Sequence, residues 1–246
     1  MATVGFLYPG YAAEDDYPTA QRLLGDDVRL PVEHTHGEDL HAVHALLDLG
    51  SAQRLTEGAQ RLRAHRPDAV LWACTSGSFV FGWDGATEQV DNLAAAAGVP
   101  ASSTSFAFVH AAQALGIRRV AVAASYPAEV AEHFVQFLAK AGLLVVGLSS
   151  SGIVTAAEVG QLATDDVLEL AAAHDHPDAE AVLVPDTAMR TFALVEQMEQ
   201  RLGKTVLTAN QVTIWEGLRL AGDTRHRDGL GSLFAGRRLG PGGDQG

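Results

Sequence analysis

The residues of this chain that could do chemistry centre on one cysteine. Cys74 lies in the run Trp72-Ala73-Cys74-Thr75-Ser76-Gly77-Ser78-Phe79, where an apolar stretch gives way to small hydroxylated residues and glycine. A tight turn of that composition frees backbone N–H groups and hydroxyls to converge on one spot, which suits a thiolate, a carboxylate or an enediolate oxygen. In an electropositive, partly exposed site a thiol falls from ~8.5 to roughly 3.5–7.5, and Cys74 is expected to behave so as nucleophile or acid/base. The bland alternative is a buried structural cysteine. Asp186 follows Pro185 at the end of another apolar run. It reads either as a proton donor beside an anionic substrate or as the N-cap of a helix beginning near Thr187. Tyr126, in Ala124-Ser125-Tyr126-Pro127, either aims a phenolic O–H into a cleft or simply packs. Tyr8, Pro9 and Gly10 form the first strand-end loop and are expected to line a pocket, whereas Arg190 reads as a solvated arginine.

Other chemistries lack the residues to carry them. A single cysteine makes neither an internal disulfide nor a Cys-based zinc site. The stretch Glu33-His34-Thr35-His36-Gly37-Glu38-Asp39, with His41 and His44, invites a metal, but its charges suit a solvated loop and no metal is expected. Neither a Walker A sequence nor a glycine-rich dinucleotide turn is present, so no nucleotide cofactor is implied. The net charge of −13 and the lack of a basic stripe argue against nucleic acid. No apolar run approaches the ~18 residues of a membrane span, and Met1-Ala2-Thr3-Val4-Gly5 lacks the features of a signal peptide, so a cytoplasmic protein is expected.

The elements that must position these groups alternate along the chain. Strands are expected at 4–8, 28–32, 69–73, 120–124, 144–148, 181–184 and 205–207, with helices at 52–64, 106–115, 128–141, 165–173, 191–201 and 211–221. Such alternation reads as α/β with a mostly parallel sheet, whose ligands gather beyond the carboxyl ends of the strands. An internal repeat sharpens this reading. Asp68-Ala69-Val70-Leu71-Trp72-Ala73-Cys74-Thr75 aligns without gaps on Glu180-Ala181-Val182-Leu183-Val184-Pro185-Asp186-Thr187. Downstream in each half a glycine opens a short strand and a helix, at 98–116 and 203–222, and Tyr8-Pro9 matches Tyr126-Pro127. The expected fold is therefore two pseudo-symmetric, Rossmann-like three-layer halves with the active site between them. Residues 1–117 with 208–235 form the first, 118–207 the second, and 236–246 a disordered tail. Cys74 and Asp186 then face each other across the cleft. The apolar residues Phe79, Val80, Phe81 and Trp83 suit either a hydrophobic substrate side chain or a subunit contact, so a homo-oligomer stays open.

Over nearly its whole length the chain resembles the aspartate/glutamate racemase superfamily, particularly its arylmalonate decarboxylase and maleate isomerase branch. The resemblance is carried by Cys74-Thr75-Ser76-Gly77-Ser78, Ser125-Tyr126, Val184-Pro185-Asp186-Thr187 and Trp215-Glu216-Gly217-Leu218-Arg219-Leu220-Ala221-Gly222. It implies a cofactor-independent enzyme, a lyase or isomerase, that handles an enediolate beside a small carboxylate. By that resemblance Thr75, Ser76 and Tyr126 donate to the substrate carboxylate, with Thr187, Pro9 and Gly10 around it, while Cys74 delivers a proton or attacks carbon. Decarboxylation leads. Maleate-type isomerisation or racemisation by the Cys74/Asp186 pair comes second, and a non-catalytic carboxylate-binding protein is the reading from another class. The chain departs from each branch: familiar decarboxylases carry their thiol where Asp186 stands, and maleate isomerases have an Asn in the first loop, which here reads Pro9-Gly10-Tyr11-Ala12.

Overall fold

Strands that are apolar along their whole length need cover on both faces, and the chain supplies it by folding two parallel sheets with helices around them. The computed structural model describes residues 1–10, 12–173 and 175–239. The expected tail thus lies outside the described residues from 240 onward, and Tyr11 of the first loop lies outside them too. The first sheet holds β1 (Ala2–Pro9), β2 (Val28–Arg29), β3 (Val32–Thr35), β4 (Ala69–Trp72) and β5 (Ala101–Ser103). The second holds β6 (Arg119–Ala124), β7 (Leu144–Ser150), β8 (Ala181–Val184) and β9 (Thr205–Thr208). Every pairing is parallel. The single strand expected at 28–32 is two short ones, because Pro31 has no N–H for the ladder; both pair with β1 in the same register on either side of the interruption.

Strand order carries the functional consequence. The first sheet runs β2-β1-β4-β5 with β3 also on β1, and the second runs β7-β6-β8-β9. With β2 and β3 counted as one strand, both orders have the first and third strands of the half adjacent at the centre. The connections from those two strands leave to opposite sides, opening a crevice at their carboxyl ends. In the first half these ends carry Tyr8-Pro9-Gly10 and Cys74-Thr75-Ser76; in the second they carry Ser125-Tyr126 and Asp186-Thr187.

A continuous core joins the two sheets. Val70 and Trp72 of β4 and Val120, Val122 and Ala124 of β6 belong to one buried cluster, while Leu71 and Ala121 turn to the outer layers. Aromatic rings form its seam: Phe79 and Phe108 lie 5.2 and 5.5 Å from Phe134 of the helix Ala128–Lys140, and Trp83 lies 5.1 Å from Phe137. Phe79 and Val80 are buried in this core, and Phe81 and Trp83 pack against it partly buried; none of the four lines the cavity. Helix Ala209–Leu220, although it comes after β9, packs back on the first sheet. The contact is close enough that a Cβ on Gly217 would lie 2.4 Å from Val4 Cγ1. Among the described residues no helix is long and apolar enough to cross a membrane.

Candidate active site

The turn after β4 is clamped from below. Gly77 offers its carbonyl to Trp72 Nε1 (3.1 Å) and to Gln89 Nε2 (2.9 Å), and Gln89 also reaches the Gly50 carbonyl (2.7 Å). The backbone comes so near the thiol that a Cβ on Gly77 would sit 3.0 Å from Cys74 Sγ. Gly77 N–H donates to that sulfur at 3.2 Å, and Ser76 Oγ lies 3.8 Å from it. Cys74 is nevertheless only 4% exposed. Burial pushes the thiol up to about 11; the Gly77 and Ser76 contacts pull the other way and lose, and the charge of Asp186 adds to the rise. The electropositive site expected for Cys74 is absent among the described residues, because no cation approaches the sulfur, and the expected low thiol is corrected to a high one.

Three hydroxyls gather beside the sulfur. Thr75 is wholly buried, its carbonyl held by Ser105 Oγ at 2.8 Å, while its own Oγ1 makes no hydrogen bond of ordinary geometry. The Tyr126 phenol donates to the Pro185 carbonyl. Burial raises its pKa well above the usual value, the negative charges of Asp186 and Cys74 add to this, and the neighbouring Thr75 and Ser76 hydroxyls oppose it. The phenol is thus a permanent donor at any ordinary pH.

From the second half, Asp186 accepts from the Ser125 hydroxyl through Oδ2 and from Ala188 N–H through Oδ1 at 2.9 Å. The chain then enters a turn, so the helix expected from Thr187 is not formed. The Thr187 carbonyl is caught by Tyr8 Oη of β1 (2.8 Å) and by Asn210 Nδ2 of the helix Ala209–Leu220 (3.1 Å). Gly10 takes φ +63°, a left-handed conformation suited to glycine, and its N–H donates to the Thr35 carbonyl at 3.1 Å. Arg190 is exposed, as expected, and its guanidinium is held by Asp15 (2.9 Å) and the carbonyls of Ala12 (2.8 Å) and Gly160.

These groups surround a cavity of about 260 Å³ lined by Tyr8, Pro9, Gly10, Cys74, Ser76, Asp186 and Thr187, and closed by Leu40, His41, Leu46, Leu49, Ala156 and Ala157. Thr75 and Tyr126 stand behind that lining, beside Cys74 and Asp186. Besides Cys74 and Tyr8, its described ionisable side chains are Glu38, Asp39, Asp186 and His41; the described lining includes no lysine or arginine. The run 33–41 is only in part the solvated loop expected from its charges: 36–39 are an exposed loop, whereas His41 is buried. Its first residues belong to β3, and 37–41 form a cavity wall. Sequence reasoning missed His41, Ser125 and Asn210 as contributors. The unusual density of His and acid around 33–44 was the one available signal, and it was read as solvent exposure. Among the described residues no group of three or more His, Cys, Asp or Glu could hold a metal.

With this geometry in view, comparison with known proteins gives a consistent answer. A family model for arylmalonate decarboxylase matches residues 34–234. The chain is 28% identical to the arylmalonate decarboxylase of Bordetella bronchiseptica over 244 residues, which cover 94% of this chain and 96% of that one. Among solved structures it superposes with a TM-score of 0.83 and 26% identity on a liganded arylmalonate decarboxylase double mutant, with 95% and 99% of the two chains covered. In that relative one glycine is replaced by cysteine and one cysteine by serine. A maleate-bound variant of the Pseudomonas putida S16 maleate isomerase gives a TM-score of 0.87 at 20% identity, with 97% and 99% covered, a likeness of fold.

Proposed function

Because the chain belongs to the arylmalonate decarboxylase family, an enzyme family of the aspartate/glutamate racemase superfamily, we propose that it decarboxylates an arylmalonate-type diacid without a cofactor, with Cys74 as proton donor. The observation that carries this reading is the state of the thiol. With its pKa raised to about 11, Cys74 rests as S–H at neutral pH, with a thiolate fraction of roughly one in ten thousand. A resting thiol is a poor nucleophile and a ready source of one proton.

The reaction then runs on the groups described. The substrate carboxylate that is retained takes hydrogen bonds from the Ser76, Thr75 and Tyr126 hydroxyls, the last two released from their contacts within the protein. The bond between the α-carbon and the second carboxyl breaks, its electron pair passes into the enediolate, and carbon dioxide leaves. Preorganised donors stabilise the charge that develops on the enediolate oxygens, and such donors are typically worth ~10²–10³ each. Cys74 S–H then gives its proton to the α-carbon, yielding a monocarboxylate and a thiolate, which water reprotonates. Burial helps this last step, because the same desolvation that disfavours the thiolate draws a proton back to it.

Racemisation is the second reading, favoured by the equivalent positions of Cys74 and Asp186 after β4 and β8. Proton NMR in D₂O on phenylmalonate, maleate and aspartate in parallel tests both. Carbon dioxide loss from phenylmalonate, with one deuterium entering the product and no turnover in Cys74→Ala, is the expected result. Deuterium exchange into aspartate alone would transfer the assignment to racemisation, and phenylmalonate turnover undiminished in Cys74→Ala would remove Cys74 from the mechanism.

A further inference from the structure

One cavity wall holds a polar group that decarboxylation does not use. Residues 37–41 are tied to the second half by four hydrogen bonds: Asp39 accepts from Ala156 N–H (2.7 Å) and Ala157 N–H (3.1 Å), while His41 donates its N–H to the Val154 carbonyl (2.7 Å) and its Nδ1 to the Ile153 carbonyl (2.9 Å). The His41 ring also stands edge-on to Tyr126, centroids 5.0 Å apart. Its orientation is thereby fixed, with only 8% of the residue exposed. A carbonyl can only accept, so Nδ1 carries the hydrogen and Nε2 of the neutral ring is an acceptor. Nε2 has no hydrogen-bond partner among the described residues, yet it is not one of the sealed polar atoms. His41 lines the cavity, and with Nδ1 engaged Nε2 is the ring nitrogen left for a ligand there.

The neighbouring wall residues Leu40, Leu46 and Leu49 offer hydrocarbon, and the only other polar side chains of this wall, Glu38 and Asp39, are carboxylates. A second carboxylate there would face Glu38 and Asp39. A hydroxyl supplies the hydrogen that Nε2 lacks and brings no charge. Building on the decarboxylase reading, we propose that His41 is a specificity-determining residue. Its Nε2 accepts from a hydroxyl at the far end of the substrate side chain, and hydroxyarylmalonates are therefore preferred over their unsubstituted counterparts. One neutral hydrogen bond in a closed site corresponds to a preference on the order of 10-fold.

The test compares kcat/KM for para-hydroxyphenylmalonate and phenylmalonate. The unaltered protein should favour the hydroxylated acid about 10-fold, and His41→Leu should bring the ratio to about one, with the change lying in KM. His41→Asn keeps an amide N–H for the Ile153 carbonyl and places no acceptor at the Nε2 position. It should lose the preference equally, which keeps the result independent of any folding defect in the leucine variant. Calorimetric binding of para-hydroxyphenylacetate against phenylacetate asks nothing of the chemistry and separates the two readings. If neither malonate turns over, but the hydroxylated acetate binds about 10-fold more tightly and His41→Leu erases the difference, the decarboxylase reading fails and the role of His41 stands. Equal affinities, no binding of either acid, or a preference that survives both substitutions overturns the role of His41.

Discussion

Alkylation of Cys74 by iodoacetamide, followed against pH by mass spectrometry, reads out the thiol on which the proposed chemistry rests. An unperturbed cysteine titrates near 8.5, so about half of it is thiolate at that pH. With the midpoint raised to about 11, the thiolate fraction at the same pH is roughly 0.3%, and alkylation slows by roughly 150-fold before access is considered. Restricted access multiplies every rate alike, so the inflection, and not the absolute rate, carries the result. The rate should climb about tenfold per pH unit through pH 10, where an ordinary thiol has levelled off. Asp186→Asn removes a negative charge that opposes thiolate formation and should move the inflection down. Circular dichroism at each pH establishes that the fold persists over the range used. An inflection at or below 8.5 in the unaltered protein would refute the reasoning: Cys74 would then have a substantial thiolate population, and a nucleophilic role would displace the proton-donor role.

Named contacts set four further outcomes. Thr75→Ala removes a buried site hydroxyl that makes no hydrogen bond of ordinary geometry, and kcat/KM should fall by ~10²–10³ with the fold intact by circular dichroism. Glu216 is fully buried; burial opposes its ionisation, but hydrogen bonds from His110 and Arg219 outweigh it and hold the carboxyl at about 2. A depressed carboxyl contributes stability above its ordinary value of 4.5 and loses it as pH falls toward 2. Urea unfolding should thus show about 1–3 kcal/mol lost over that window, trimmed by solvent around the half-exposed His110 and Arg219, and Glu216→Gln should flatten the dependence. Gly217→Ala would place a Cβ 2.4 Å from Val4 Cγ1 and 2.9 Å from Leu71 Cδ2, and chemical denaturation should register a loss of about 1–3 kcal/mol. With a disubstituted, prochiral malonate, the product should be the antipode of that made by a relative whose thiol lies just past the second-half strand; chiral chromatography giving the same antipode would sink the assignment of faces.

The sequence made some of this legible because buried parallel strands are written as plain apolar runs. The alignment of 68–75 on 180–187 located β4 and β8 and the two groups just beyond them without any knowledge of long-range contacts. The state of Cys74 was not legible, because the burial that raises the thiol is supplied by both halves together, whereas the local Thr-Ser-Gly-Ser turn suggests only donors. Helix Gly82–Ala97 was missed since its buried residues, Ala86, Gln89 and Leu93, include a glutamine and an alanine and leave a faint apolar stripe. Asn210 reads locally as a residue of a capped helix start. Only the fold brings it to the Thr187 carbonyl and to Asp16 Oδ2, at 2.9 Å.

The equivalence of the two sheets explains why the position of a single thiol matters so much. Both halves present a first-strand loop and a third-strand turn to one crevice, and under the proposed reaction the ends of β4 and β8 would approach the substrate from opposite sides. In the proposed reaction the donors to the carboxylate, Thr75, Ser76 and Tyr126, come from both halves and would fix the plane of the enediolate whichever strand bears the proton donor. Under the family resemblance, the thiol after β4 and the carboxylate after β8 therefore exchange the protonated face without rebuilding the site. In this chain the thiol keeps its proton because the surrounding core is shared by both halves. The carboxylate opposite remains solvated by Ser125 and the Ala188 N–H in place of water. A fold with this approximate two-fold symmetry can thus change its stereochemical outcome through two residues, while the carboxylate-binding hydroxyls and the apolar wall beside His41 continue to select the substrate.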